Sequence, residues 1–165
     1  MMDVLVWIEQ SAFGTYMRES GSLWAFPMFL FTHTLGMSIV AGSATIINLA
    51  LIGIWPRGTP IKPLERFYPL MWLGVWVSFF TGVSMFMKDA SIYGRNPDFY
   101  VKLLFVIAGV TLLSVMRTRV FGDPRLDHGP VPVHAKRLAW VSMVCWFAAI
   151  VGGRLIAYLG PVAGL

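Results

Sequence analysis

Three side chains able to carry charge, His33, Lys102 and Arg154, stand inside otherwise apolar stretches of this chain. In membrane hydrocarbon such a group costs on the order of 3 kcal/mol unless it snorkels, pairs or faces a polar cavity, so each is a candidate for chemistry. An imidazole such as His33 can ligate a haem iron or another metal, or simply hydrogen-bond a neighbouring helix. Arg154, flanked by Gly153, can pair with Asp89 or Glu19, or hold an anionic ligand group. Lys102 can instead snorkel to the nearer interface along its own alkyl stem. Met28, Met37, Met71, Met85 and Met87 offer thioethers to copper(I), and Met37 lies one turn after His33. Methionine is also the ordinary filler between helices, and that is the plainer reading. His128 and His134 share a polar loop with Asp127, where solvated side chains are expected rather than a metal site. A Gly-rich phosphate loop, a Ser-His-Asp set, paired catalytic carboxylates and a CxxC motif are all missing from the sequence. The single cysteine, Cys145, excludes an intrachain disulfide.

The segments that carry these residues are built for lipid. Hydrophobic residues make up 57% of the 165 and charged ones only 13%, which predicts one integral membrane domain over 1–165 with no separate soluble one. The run from Ser20 to Pro56 has no Asp, Glu, Lys or Arg. At 1.5 Å per helical residue it crosses a ~30 Å hydrocarbon core even when tilted. Four spans are predicted, over 23–54, 67–87, 99–116 and 138–159. Ser22 can cap the first, Pro27 falls in its first turns, and Trp24 and Trp55 stand near its ends as belt residues would. Before it, residues 3–19 put Val4, Leu5, Ile8 and Ala12 on one face of a short amphipathic helix, expected to lie at the interface. With Asp3 so early and no basic leader, no cleaved signal peptide is expected. Gly74, Ser78 and Gly82 form a small-residue seam on the second span, and Cys145, Ala149, Gly153 and Ala157 form another on the last, which Gly160-Pro161 ends. The predicted class is all-α: a four-transmembrane-helix bundle with an N-terminal amphipathic interfacial helix.

The net charge of +5 reads as topology rather than as a nucleic-acid footprint, because the basic residues sit in short loops between spans. With four spans, one side holds Arg57, Lys62, Arg66, Arg117, Arg119, Arg125, Lys136 and Arg137, and the other holds Arg18, Lys88, Arg95 and Lys102. Eight against four predicts basic loops inside and both termini outside. Counting along each span then places His33 roughly 10 Å outward of the midplane, Arg154 roughly 8–9 Å and Lys102 about 9 Å. Ser84 and Met85 reach a similar height, with Asp89 just above. His33 and Arg154 are therefore expected to border one outward-opening pocket, with Lys102, Met85 and Asp89 near it.

The segments SLWAFP, HTLGMSIVAGS, TGVSMFMKDASIYGRNPDFYVKLLF and GGRLIAYLG, spread over residues 22 to 160, resemble a family of small bacterial four-helix membrane proteins of unknown function. The shared motifs fall on His33, Gly36, Gly42, Asp89, Lys102 and Arg154. Such relatives often carry an acid and an arginine near the end of the first span, where this chain has Asn48 and Ala50. They can also carry a histidine at the inner end of the third, where Met116 and Arg117 stand here. A two-histidine haem site of the cytochrome-b kind is therefore not carried over. The resemblance implies residence in a bacterial inner membrane.

Three readings follow. The first is a non-catalytic subunit of a larger, redox-associated membrane complex, with lipid and other membrane subunits as partners, no nucleic acid, and a polar site around His33 and Arg154. The second is a haem-b or quinone-binding electron-transfer subunit, with His33 as axial ligand and Lys102 and Arg154 holding propionates or a quinone oxygen. The third is metal handling through His33 and the methionines. The first is favoured, with the cofactor left open.

Overall fold

The computed structural model describes residues 2–56, 59–124, 126 and 129–159, with side chains as far as Ile156. Arg57, Arg125, Asp127, His128, Gly160-Pro161 and the side chain of Ala157, all used in reading the sequence, lie outside the described residues.

The described chain is helical, with no strand. Two short helices open it, α1 (Met2–Glu9) and α2 (Ala12–Glu19), and α3 (Phe26–Ile52) follows. A 3-10 segment, Lys62–Phe67, leads into α4 (Tyr68–Lys88), and α5 (Ala90–Tyr93) is a single turn. Next come α6 (Pro97–Met116), continued by a π turn over Arg117–Phe121, and α7 (Val133–Leu159). The four long segments are each long and apolar enough to cross a membrane. They start where the local chemistry allows: prolines stand in the first turns of α3, α4 and α6, where no N–H partner is lost, and the Asn96 side chain accepts from Asp98 N at the start of α6. Helix α3 ends on Gly53, whose φ of 108° is the left-handed conformation that a glycine takes without strain.

The predicted interfacial helix over 3–19 is two helices instead. Ser11 breaks it, its hydroxyl accepting from Gly14 N and thereby capping α2. Residue by residue the apolar pattern runs through this break, so periodicity alone conceals it. The resulting hairpin folds onto the ends of α4 and α5. Glu9 fixes it there: its carboxylate accepts from the Ser91 backbone N–H at 3.0 Å and from the Ser91 hydroxyl, and pairs with Arg18 at 3.1 Å. The Ser91 hydroxyl bond, then the Ser91 N–H and the Arg18 charge, hold Glu9 below its ordinary range against the opposing effect of partial burial. Beside it, Lys88 pairs with Asp89 at 2.7 Å and lies over the Phe26 ring. We call this the capped end of the molecule, and the end carrying Lys62–Phe67 and the π turn the basic end.

Packing among the long helices is uneven. Helix α3 lies between α4 and α7, and α6 packs on α7, whereas α4 and α6 do not pack on each other along their length. The α3–α4 contact is the closest. A Cβ placed on Gly74 would lie 2.8 Å from the Gly36 carbonyl oxygen, and one on Gly36 would lie 3.0 Å from the Gly74 carbonyl oxygen. The backbones touch, as the seam of small residues predicts, and Gly74, Ser78 and Gly82 all face α3. On the other pair, Gly109 of α6 receives the Trp146 ring of α7, and Ala149 is fully buried. The apolar core gathers in the half of the molecule near the basic end, around Ile47, Leu51, Tyr68, Met71, Met116 and Phe121. One polar pair is sealed inside it, Asn48 Nδ2 donating to Ser142 Oγ at 3.1 Å. The outward faces are apolar, with Trp76, Phe79 and Phe80 of α4 exposed and packed ring on ring.

Two outcomes follow from this packing. Gly74→Ala must push α3 and α4 apart and is expected to cost on the order of 1–3 kcal/mol, while Gly42→Ala, whose new methyl meets open space, is expected to cost nothing. Thermal unfolding in detergent measures both, and equal melting temperatures would contradict the contact. For the hairpin, a carboxylate held below its ordinary value of 4.5 contributes stability above that pH and loses it as pH falls through the lower folded value. Glu9→Gln should therefore expose the hairpin to protease at neutral pH, as acid does the native protein. A cleavage rate unaffected by both would remove Glu9 from this role.

Candidate functional site

The site grows directly out of the α3–α4 contact. His33 is one turn before Gly36 on α3, and Ser78, Thr81 and Gly82 follow Gly74 on the facing stripe of α4. The half-buried imidazole consequently lies against Gly82, where an added Cβ would be 3.1 Å from its Cε1. A larger residue there would require the ring to shift by a few tenths of an ångström. Its Nδ1 is 3.0 Å from the Ser78 carbonyl oxygen and 3.0 Å from Thr81 Oγ1. A carbonyl oxygen only accepts, so Nδ1 carries the proton and donates. The Thr81 hydroxyl gives its own proton to the Val77 carbonyl at 2.6 Å and so presents a lone pair to the same N–H. In the neutral ring Nε2 is then a bare acceptor, and it has no hydrogen-bond partner among the described residues.

Lys102 comes from the other helix pair. Its stem lies along α7, with Cβ 3.5 Å from a Cβ placed on Gly152 and Nζ 3.6 Å from one placed on Gly153. The two glycines form the shallow bed in which the stem rests. The ammonium is half-buried, lies within coulombic reach of His33, and has no hydrogen bond or ion pair among the described residues. Lys102 therefore runs over the surface of α7. The open Nε2 of His33 on α3 and the Lys102 ammonium on α6 are the two polar tips without a partner at this level. Above them the pairs touch: Phe86 of α4 stacks on Phe99 of α6 with centroids 5.5 Å apart and 24° between the planes, and Tyr93 lies against Phe99.

The other residues singled out from sequence are placed differently. Arg154 is exposed on α7 and makes no bond to His33, Asp89 or Glu19, because one residue along a helix turns a side chain by about 100° away from the face that Gly153 presents to Lys102. Asp89 is buried at the end of α4 but bound to Lys88, its neighbour in the chain. Met85 is half-buried with no polar contact. Met37 packs against the apolar core and Met71 is wholly inside it, as filler. Exposed His134 stands in the first turn of α7. Among the described residues no three His, Cys, Asp or Glu side chains converge as a metal-binding group would.

The residues that sequence reasoning missed are those that orient rather than react: the Ser78 carbonyl, Thr81, Gly152 and the Phe86–Phe99 stack. The i, i+3, i+4 spacing of Ser78, Thr81 and Gly82 was the available signal for the first two. Comparison with known protein families, with characterised proteins and with solved structures finds no match for the chain.

The hydrogen bonds make a direct expectation. Nitrogen-15 NMR of His33 should show the neutral ring protonated on Nδ1 and bare on Nε2, and Thr81→Val should disturb the Nδ1 signal while leaving that tautomer in place. An Nε2-protonated neutral ring would contradict the site as described.

Proposed function

We propose that this chain is a small, non-catalytic membrane subunit of a larger redox-associated complex, and that it holds a small molecule between His33 and Lys102. The observation that carries the reading is that His33 Nε2 and Lys102 Nζ, both on apolar helices, have no hydrogen-bond partner among the described residues. An acceptor and a donor left open on apolar helices favour an absent third party. The large exposed apolar and aromatic area supports lipid and other membrane subunits as neighbours, as Trp76, Phe79 and Phe80 illustrate.

A second reading has its own observation. A histidine whose Nδ1–H is held by a backbone carbonyl, with Nε2 free, is oriented as metal-ligating histidines are, and that supports haem b as an alternative occupant. His33 would supply one axial ligand and Lys102 a propionate partner. The other described histidine, His134, is exposed in the first turn of α7 at the basic end, so among the described residues no second histidine stands beside His33 to complete a bis-histidine pair. For copper the methionines give little support, since Met37 and Met71 belong to the core.

The location we propose is the bacterial inner membrane, with the capped end and both termini outside and the basic end in the cytoplasm, on the strength of the basic-loop count. Gly21 and Gly129 are exposed at opposite ends and have open space for a side chain, so they report on this cleanly. In a Cys145→Ser background, a membrane-impermeant maleimide should label Gly21→Cys in intact cells and Gly129→Cys only after lysis. The reverse pattern would overturn the orientation. An absorption spectrum of the purified protein with a pyridine haemochrome assay decides the occupant: a b-type signal lost in His33→Ala establishes haem, and its absence leaves the metal-free reading.

A further inference from the structure

We propose that the cleft between α1 and α5 at the capped end binds the phosphate of a membrane phospholipid, with the start of its acyl chains against the cleft's apolar wall. The site is separate from His33 and Lys102 and does not rest on them. The cleft has a volume of about 370 Å³ and is lined by Met2 and Val6 of α1, by Ser91 and Ile92 of α5, and by Arg95 just after α5. Its two sides are packed closely at the base, where a Cβ placed on Gly94 would lie 2.6 Å from Leu5 Cδ1. At ~30 Å³ of liquid volume per water, such a space equals about a dozen waters, so a lone ion would leave most of it empty. Clefts of roughly 300–1,000 Å³ suit a small organic group.

Arg95 selects the head group. Its Nε donates to Met2 Sδ at 3.4 Å, and a thioether is a weak acceptor. Among the described residues the guanidinium has no carboxylate partner, whereas the neighbouring cations are taken, Arg18 by Glu9 at 3.1 Å and Lys88 by Asp89 at 2.7 Å. Ser91 is taken as well, since its N–H and its hydroxyl both go to Glu9. Of the five lining side chains, Arg95 alone keeps an unused donor face, and that planar fork matches two oxygens of a phosphate.

Position supplies the rest. Helix α4 ends at Lys88 and the span of α6 starts at Pro97, so Arg95 lies in the short connection where both helices leave the hydrocarbon. Tyr100 OH donates to the Gly94 carbonyl at 2.9 Å and holds that connection against α6. Phospholipid phosphates stand at this level, with their chains running down from it, and exposed Val4, Trp7 and Tyr100 give the same end an apolar, aromatic rim. A free phosphate would match Arg95 and leave Val6 and Ile92 bare, while an uncharged diacylglycerol would do the reverse. One wall comes from α1 and the other from α5 and Arg95. The lipid therefore fits only while the hairpin is docked, and by mass action it stabilises that docking.

The test is chymotrypsin cleavage of the N-terminal hairpin in lipid-stripped, detergent-held protein, titrated with dioleoylphosphatidylglycerol, dioleoylglycerol, oleate or inorganic phosphate. The expected result is saturable protection by phosphatidylglycerol, at least fivefold in cleavage rate, with little from the other three. Arg95→Gln keeps a side chain of similar length without the charge and should need at least tenfold more phosphatidylglycerol for the same protection. Val6→Asp, which sets a carboxylate in the cleft, should do likewise. His33→Ala and Arg66→Gln, both away from the cleft, should respond as the native chain does, and melting temperatures show that each variant is folded. Protection by oleate or inorganic phosphate as strong as that by phosphatidylglycerol, and lost in Arg95→Gln, would overturn the phospholipid while keeping an anion site. Equal protection by dioleoylglycerol, full protection of both Arg95→Gln and Val6→Asp, or no protection of the native chain would overturn the site itself. A loss shared equally by His33→Ala and Arg66→Gln would do the same.

Discussion

Everything at the candidate site depends on one contact, the backbone of α3 against the backbone of α4 at Gly36 and Gly74. Between apolar helices in lipid the hydrophobic effect gives little preference for one neighbour over another, and dispersion at close approach takes its place. Two glycines facing each other allow that approach and fix the register of the pair. His33 is three residues from one of them and Ser78 four from the other, so the register lays the imidazole on Ser78, Thr81 and Gly82. A slide of one residue would carry the ring off the Ser78 carbonyl, and its Nδ1 proton with it. The site is thus a consequence of how two helices touch rather than of a loop built around a ligand.

The second pair repeats the logic with different residues. Gly109 admits Trp146, which ties α6 to α7, and Gly152 and Gly153 leave a bed for the Lys102 stem. The two pairs join through α3 and α7, partly by the Asn48–Ser142 hydrogen bond deep in the core. What remains between α4 and α6 is an interval bridged at the capped end by aromatic rings. The Glu9 clasp adds rigidity at the same end, since it holds the hairpin on α4 and α5 beside the aromatic bridge.

Much of the scaffold was legible in the sequence. Hydropathy and the absence of charge located four long helices within a few residues of where they stand, and four-residue spacing identified the Gly74, Ser78 and Gly82 seam. His33 and Lys102 stood out because charge inside apolar sequence is costly, but what each rests on, the Ser78 carbonyl and the Gly152–Gly153 bed, did not. Arg154 stood out for the same reason and is turned outward, because depth along a helix follows from counting whereas rotation depends on which face a neighbour claims. The order of packing was not readable either. Helices α4 and α6 are consecutive yet unpacked, and nothing in composition says that α3 and α7 stand between them. The hairpin break at Ser11 and the π turn over Arg117–Phe121 are local hydrogen-bond choices that leave the apolar period undisturbed.

The central claim is that the two open tips share one small ligand, and native mass spectrometry of the protein released from its own membrane tests it most directly. The account predicts one small molecule of constant mass bound to the native chain, absent from His33→Ala and from Lys102→Met alike. A native chain that emerges bare, or a bound mass retained by both variants, would contradict it.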